Sequence, residues 1–208
     1  MDIIKKTDFI LTDIDEVILE WRPSFEKWVR LKGFNPVGSI DNVIDLYKWL
    51  SIGELESIEL MTEYLKVDGW FENLNPREDA LSYIPILHQK GYRIIGITSC
   101  GCSPLVIQKR TENLQRYFPN IFEKIHCLPL NSSKTDILKL YPSTIWVEDN
   151  FNKALEGVEA GHTVYLLDMP HNKDKYDVNI KRVSSWKEIY HHMCCVWEEN
   201  LPGWMCGD

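Results

Sequence analysis

FILTDIDEVILEW, residues 9–21, is the stretch on which the reading of this 208-residue chain turns. Three apolar residues, Phe9, Ile10 and Leu11, run into two carboxylates one residue apart, Asp13 and Asp15, and Val17 and Ile18 resume the apolar pattern at once. A buried strand ending in two acids sets like charges close together, and something has to stabilise them. Alone, the stretch fits a strand end with solvated acids as well as it fits a site. The rest of the chain has to decide.

Working outward, four more runs share the character of residues 8–13: YRIIGITS (92–99), KIHCLPL (124–130), STIWVED (143–149) and HTVYLLD (162–168). Nearly continuous apolar runs of this length mark strands buried on both faces. Helical stretches lie between them. Ser103-Pro104 reads as an N-cap with proline at the first helical position, opening a helix to about residue 118. Residues 150–160 (closed by Gly161), 184–197 and 78–89 read as further helices, with Pro85 predicted to kink the last. Strand–helix alternation predicts an α/β fold, a parallel sheet wrapped by helices on both sides. Residues 22–75 break the rhythm, with no convincing strand. Phe25, Trp28, Val29 and Leu31 suggest one helix there. Val43, Ile44, Leu46, Tyr47 and Leu50 suggest a second, and Leu55, Ile58, Met61, Tyr64 and Leu65 a third. A helical insertion directly after the first strand sits above the strand ends, where open α/β sheets place their ligands.

Composition bounds the function. A hydrophobic content of 44% suffices for a well-buried core. A net charge of −8 disfavours a nucleic-acid polymer as partner, so a small anionic substrate would need local positive charge from a lysine or a metal. No apolar run reaches membrane-spanning length, and MDIIKKTDF lacks a signal-peptide core, so no membrane partner and a cytoplasmic location are expected. The cysteines at 100, 102, 127, 194, 195 and 206 lack paired C-x-x-C spacing. Reduced thiols are the expectation, with a metal cluster including His191 and His192 as the competing reading.

Four polar signals stand where the strands end. Asp13 and Asp15 close the first run, and Thr98 and Ser99 the second. Lys134 follows the third after Asn131-Ser132-Ser133, and Glu148 and Asp149 close the fourth. Separately each reads as a turn, a cap or a solvated charge. Parallel strands, however, bring their C-terminal ends to one edge, so the four converge. Two acids from one strand and one or two from another make an oxygen cage for a hard cation, and Mg²⁺ fits. A carboxylate can act as nucleophile and form an aspartyl-phosphate. An acid two residues on can protonate the leaving oxygen and later deprotonate water. A hydroxyl and a lysine can hold the phosphoryl oxygens.

In this order and approximate spacing, D-x-D-x-V after an apolar strand, then Thr-Ser, then Lys, then an acid pair, the chain resembles the haloacid dehalogenase-like phosphatases. That resemblance implies a Rossmann-like core, residues 1–21 and 76–208, with a small helical cap, residues 22–75, inserted after the first strand. WFENLNPREDA (70–80), Thr98-Ser99 and LDMPHNKDKYDVNIKRVSSWKEI (167–189) are similar to the 5'(3')-deoxyribonucleotidases within that group. The resemblance implies Asp13 as nucleophile and metal ligand, and Asp15 as general acid/base whose backbone carbonyl also reaches the metal. Thr98 and Lys134 would bind phosphate, with Ser99 as a further candidate. Asp149, with Glu148 beside it, would complete the metal site. Trp21 stands where these enzymes place an aromatic that stacks on the base. Trp28, Trp49 and Trp186 read as core packing. Cys100 stands in place of a frequent proline, Glu16 in place of a glycine, and Asn150 in place of a helpful basic residue.

The expectation is a Mg²⁺-dependent phosphomonoesterase, 5'(3')-deoxyribonucleotidase-like, acting on nucleoside monophosphates through an aspartyl-phosphate. The competing readings are a phosphatase of a sugar phosphate or other small metabolite, and a non-catalytic binding protein on the same fold. Oligomeric state stays open, a homodimer among the options. Residues 191–208, with Trp197 and Trp204, match no part of the resemblance.

Overall fold

In a computed structural model the backbone is described for residues 9–43 and 45–198, and side chains as far as Met193. Ile44 and the side chains of Cys194, Cys195, Trp197, Trp204 and Cys206 lie outside the described residues. In chain order the strands are β1 (Phe9–Thr12), β2 (Leu19–Glu20), β3 (Asn75–Pro76), β4 (Arg93–Thr98), β5 (Phe122–Cys127), β6 (Ile145–Glu148), β7 (Thr163–Leu167) and β8 (Ile180–Val183). The helices are α1 (Trp21–Leu31), α2 (Leu46–Leu50), α3 (Glu54–Lys66), α4 (Glu78–Gln89), α5 (Pro104–Tyr117), α6 (Thr135–Leu138), α7 (Phe151–Glu159) and α8 (Trp186–Glu198).

Six strands form one sheet in the order β5-β4-β1-β6-β7-β8, with every pairing parallel. Adjacent residues of β1 serve opposite faces. Ile10 belongs to one hydrophobic cluster and Leu11 to the other, as the strand period of two requires. Both faces being covered, the sheet is the α/β arrangement that the alternation predicts. β8 is the strand that the apolar-run reading missed. It pairs with β7 alone, so Ile180 and Val183 point inward while Lys181 is exposed. An edge strand tolerates such charges. The third run is shifted: its strand starts at Phe122 and ends at Cys127.

The helix signals translate into caps. Ser103 Oγ accepts from the Val106 N–H at 3.4 Å, and Asn150 Oδ1 accepts from Asn152 and Lys153 at the start of α7. α4 runs on through Pro85 as one helix. Where α7 crosses the sheet, only glycine fits. A Cβ on Gly157 would lie 2.3 Å from Trp146 Cδ1.

Between β2 and β3 the chain makes a helical excursion. Its two ends are tied by a short antiparallel ribbon, Leu19 opposite Pro76 and Glu20 opposite Asn75, too brief and proline-bearing to announce itself in the sequence. Inside, aromatic rings interlock. Phe25 meets Tyr64 edge-on at 5.1 Å, and Tyr64 meets Phe71 at 6.3 Å. These rings join the hydrophobic cluster that covers one sheet face. Trp28, Trp49 and Trp186 are buried in it, but Leu31, Leu55 and Ile58, counted in the helical stripes, are exposed. No described helix is long and apolar enough to cross a membrane.

Candidate active site

Parallel strands deliver their last residues to one edge. Asp13 follows β1 and donates its N–H to the Val147 carbonyl at 2.9 Å, which registers it beside the end of β6. Thr98 ends β4, and Glu148 ends β6. A cavity of ≈ 320 Å³ opens above them. Asp13, Asp15, Trp21, Thr98, Ser99, Lys134, Glu148 and Asp149 all line it, so all eight candidate residues meet in one place. The opposite wall comes from the helical excursion, including Met61, Tyr64 and Phe71.

Charge is concentrated at the floor. Carboxylate oxygens of Asp13, Glu148 and Asp149 lie within 4.8 Å of one another, and all three residues are buried. Lys134 Nζ bridges two of them, 2.8 Å from Asp13 Oδ1 and 2.8 Å from Glu148 Oε2. Burial pushes the Asp13 carboxyl up to about 6. Lys134 opposes the rise, while Asp149 and Asp15 add to it. Burial and the Asp13 charge hold Glu148 well above the usual carboxylate range. Burial alone would lower the Lys134 ammonium, but the two carboxylates hold it above its ordinary value. For Asp149 burial raises, yet the hydrogen bond and charge of His171 win and lower it. His171 Nε2 lies 3.1 Å from Asp149 Oδ2, and Asn172 Nδ2 donates to the Asp149 carbonyl at 2.7 Å.

The commitments of each oxygen differ. Both Glu148 oxygens are engaged, Oε1 by the N–H groups of Asp149 and Asn150 and Oε2 by Lys134. Thr98, fully buried, donates its hydroxyl to Asp15 Oδ2 at 3.0 Å, and Arg110 Nη2 donates to Asp15 Oδ1. Ser99 donates to the Ser132 carbonyl at 3.0 Å. Glu16 occupies the left-handed region at φ 61° with its side chain folded inward, where Oε1 accepts the Arg22 N–H at 2.8 Å. Burial pushes its carboxyl up to about 8 against that hydrogen bond.

Sequence reasoning missed Arg110, Arg22 and His171. Arg22 is buried on the cavity wall and donates through Nη1 to the carbonyls of Ile40 and Val43, fixing the loop after α1. His171 sat inside the quoted 167–189 stretch without a role. Arg110 lies on a helix, where a charged residue ordinarily signals solvent. Cys100, Cys102 and Cys127 are free thiols, and the acid trio is the one group of three or more potential metal ligands among the described residues.

The family model described as "5' nucleotidase, deoxy (Pyrimidine), cytosolic type C protein" matches residues 7–197. An uncharacterized 32.4 kDa protein of Enterobacteria phage T4 is 29% identical over 86% of this chain and 67% of its own length. A nucleotidase of Clostridium acetobutylicum is 39% identical over 46 residues, 22% of this chain and 24% of that protein. In structure, a Had-superfamily hydrolase from Ehrlichia chaffeensis superposes with TM-score 0.58 at 15% identity, covering 93% of this chain and 99% of that one.

Proposed function

This chain belongs to the 5' nucleotidase, deoxy (Pyrimidine), cytosolic type C family and is a phosphoric monoester hydrolase, and on that premise we propose that it dephosphorylates nucleoside monophosphates through a Mg²⁺-dependent aspartyl-phosphate mechanism. The observation that carries the reading is the buried acid trio with a single lysine between two of its members. Three acids against Lys134 leave surplus negative charge at the cavity floor. A divalent cation fits that surplus. Asp13 and Asp149 each commit one oxygen to a neighbour, Lys134 and His171, and their carboxylates lie close enough together to share a ligand. Glu148 has both oxygens engaged and serves instead to seat Lys134. Bound there, Mg²⁺ would shield the acids and the incoming phosphate dianion from each other.

The chain's own groups supply the rest. An Asp13 oxygen attacks phosphorus and displaces the ester oxygen, giving an aspartyl-phosphate. Asp15 gives the departing oxygen a proton, then takes one from the water whose oxygen attacks the same phosphorus, releasing inorganic phosphate and regenerating Asp13. The Lys134 ammonium has three N–H donors and spends two on Asp13 and Glu148, so the third is left for a phosphoryl oxygen. Thr98 and Ser99 place hydroxyls at the same edge, each redirected from its present acceptor when phosphate binds. Residues 22–75 act as the cap that selects the group beyond the phosphate. Trp21, at the first position of α1 and on the cavity wall, offers its indole to a base.

The test is phosphate release from deoxyribo- and ribonucleoside monophosphates and from sugar phosphates of similar size, with Mg²⁺ and with excess chelator. The expected result is turnover only with the cation, with nucleotides favoured by about 10–100-fold, the value of one base stack of roughly 1–3 kcal/mol. Full activity in chelator would remove the metal from the reading, and a preference for sugar phosphates would remove the nucleotide.

A further inference from the structure

α5 turns an unusual face to the protein. Its buried residues include Lys109, Arg110 and Asn113, and Arg110 is fully buried. The Arg110 guanidinium carbon lies 4.2 Å from the centre of the Phe71 ring, and Nη2 reaches Asp15 Oδ1. Its Nε and Nη1 find no oxygen acceptor among the described residues. Asp15 is thus held at both oxygens, by Arg110 on one and by Thr98 on the other.

We propose that Arg110 is a positioning residue for the reaction. Through Oδ1 it fixes the plane of the Asp15 carboxyl, and so the direction in which Asp15 passes a proton to the leaving oxygen once Thr98 has turned to the phosphate. This rests on the reading of Asp15 as acid/base given above. A guanidinium suits the task because its donors are rigidly coplanar, and the Phe71 face beneath it holds that plane. Arg110 is buried, so Asp15 cannot turn away without leaving an uncompensated interior charge, which is costly. Phe71 opens the turn Phe71–Asn73, where the helical excursion comes back to the sheet. The orientation of Asp15 is therefore tied to the seating of that turn.

Arg110 itself neither gains nor loses a proton. When the P–O bond breaks, its electron pair stays on the ester oxygen and the proton arrives from Asp15. An alkoxide needs that proton, whereas a p-nitrophenolate leaves with little help. The experiment measures kcat/KM, which reports the steps through the first P–O cleavage, for a nucleoside 5'-monophosphate and for p-nitrophenyl phosphate. Arg110→Met should lower the alkyl ester by about 100-fold or more and the aryl ester by less than about 10-fold, since general-acid help is worth about 10²–10⁴. In an Asp15→Asn background the same substitution should add almost nothing, because Arg110 acts through Asp15. If Arg110→Met fails to fold by circular dichroism, Arg110→Lys, which keeps the charge and loses the planar fork, goes through the same two measurements. Equal losses on the two esters, or losses that multiply with Asp15→Asn, would overturn the proposal and leave Arg110 structural. A wild-type protein that releases phosphate from neither ester would overturn the reading of the site instead.

Discussion

The strand ends and the inner face of α5 both bury charged and polar side chains, but they do so for different ends. At the strand ends the groups are mostly acids, set against one another around a single lysine. On α5 the groups are cations and an amide, and apart from the Arg110–Asp15 pair their hydrogen bonds go to the excursion's return path. Lys109 Nζ reaches the Val67 carbonyl at 2.9 Å, Asp68 at 2.8 Å and Glu72 at 3.1 Å. Asn113 Nδ2 donates to the Leu74 carbonyl at 2.9 Å, and from the exposed side of the helix Arg116 Nη1 donates to Asn73 Oδ1 at 2.7 Å. Residues 67–74 contain only one short helical turn, so much of their backbone needs donors from elsewhere. The contrast separates a cluster of opposed acids, fit for chemistry, from a set of donors that tie down a loop, fit for bracing.

The sharpest way to break that contrast is Asp13→Asn. The amide keeps the shape and an acceptor for Lys134 but removes the attacking charge. Activity should fall at least about 10³-fold, as for loss of a group acting within a catalytic unit. Because a repelling acid is neutralised, the melting temperature should stay level or rise. Near-normal turnover, or a collapse of the fold, would mean that the strand-end acids brace the structure as α5 does.

Lys109→Met should do the reverse. It deletes the cation that gathers Val67, Asp68 and Glu72, while its aliphatic stem is kept. Breaking a buried pair costs about 3–5 kcal/mol, but Asp68 is 94% exposed and rehydrates freely. A loss of about 2 kcal/mol in denaturant unfolding is expected, with kcat changed only a few-fold. A large loss of kcat at unchanged stability would erase the distinction between the two regions.

The same contrast explains what the sequence disclosed. The strand ends were legible because an acid at the end of an apolar run violates the local pattern, and five of the six sheet strands carried such a run. β8 was not legible, since a charged edge strand violates nothing. α5 hid its role for the opposite reason. Its buried residues 106, 109, 110, 113 and 114 follow the i, i+3, i+4, i+7, i+8 spacing of a core-facing stripe. That stripe is mostly polar, while Leu105 and Ile107 are 44% and 39% exposed. A rule that looks for apolar residues at that spacing passes over it. The available signal was the adjacent pair Lys109-Arg110 between Val106 and Leu114, placed where an apolar helix face was due.

Trp21→Ala tests a smaller effect, at the boundary between the two regions. The indole packs against Phe25 at 5.6 Å and lies 5.4 Å from the Arg22 guanidinium. Removing it should reduce kcat/KM for nucleotides by about tenfold, near the lower end of a base stack of roughly 1–3 kcal/mol. A phosphate ester without a base should be hydrolysed almost as before. Equal losses on both would assign Trp21 to bracing.

The smallest expected effect comes from a buried polar group at the opposite edge of the sheet, which serves as the reference for both regions. His162 precedes β7, is 7% exposed, and among the described residues its ring hydrogen-bonds to backbone groups. The Thr144 N–H donates to Nδ1 at 3.2 Å, and Nε2 lies 3.0 Å from the Leu138 carbonyl. With Nδ1 accepting, the proton sits on Nε2 and the ring is neutral. Burial lowers its pKa below the ordinary 6.5, with the Leu138 hydrogen bond opposing. The unfolded chain therefore takes up a proton near 6.5, while the folded chain does so only at lower pH. Stability from this group is complete above about 6.5 and is lost as the pH falls towards the folded-state value. His162→Gln cannot titrate, so urea unfolding of the two proteins between pH 8 and pH 5 should show the wild type losing ground to the variant only on the acid side. A difference that stays constant with pH would mean that His162 is not held neutral. Burial without a charged partner would then no longer separate this edge from the strand-end acids or from α5.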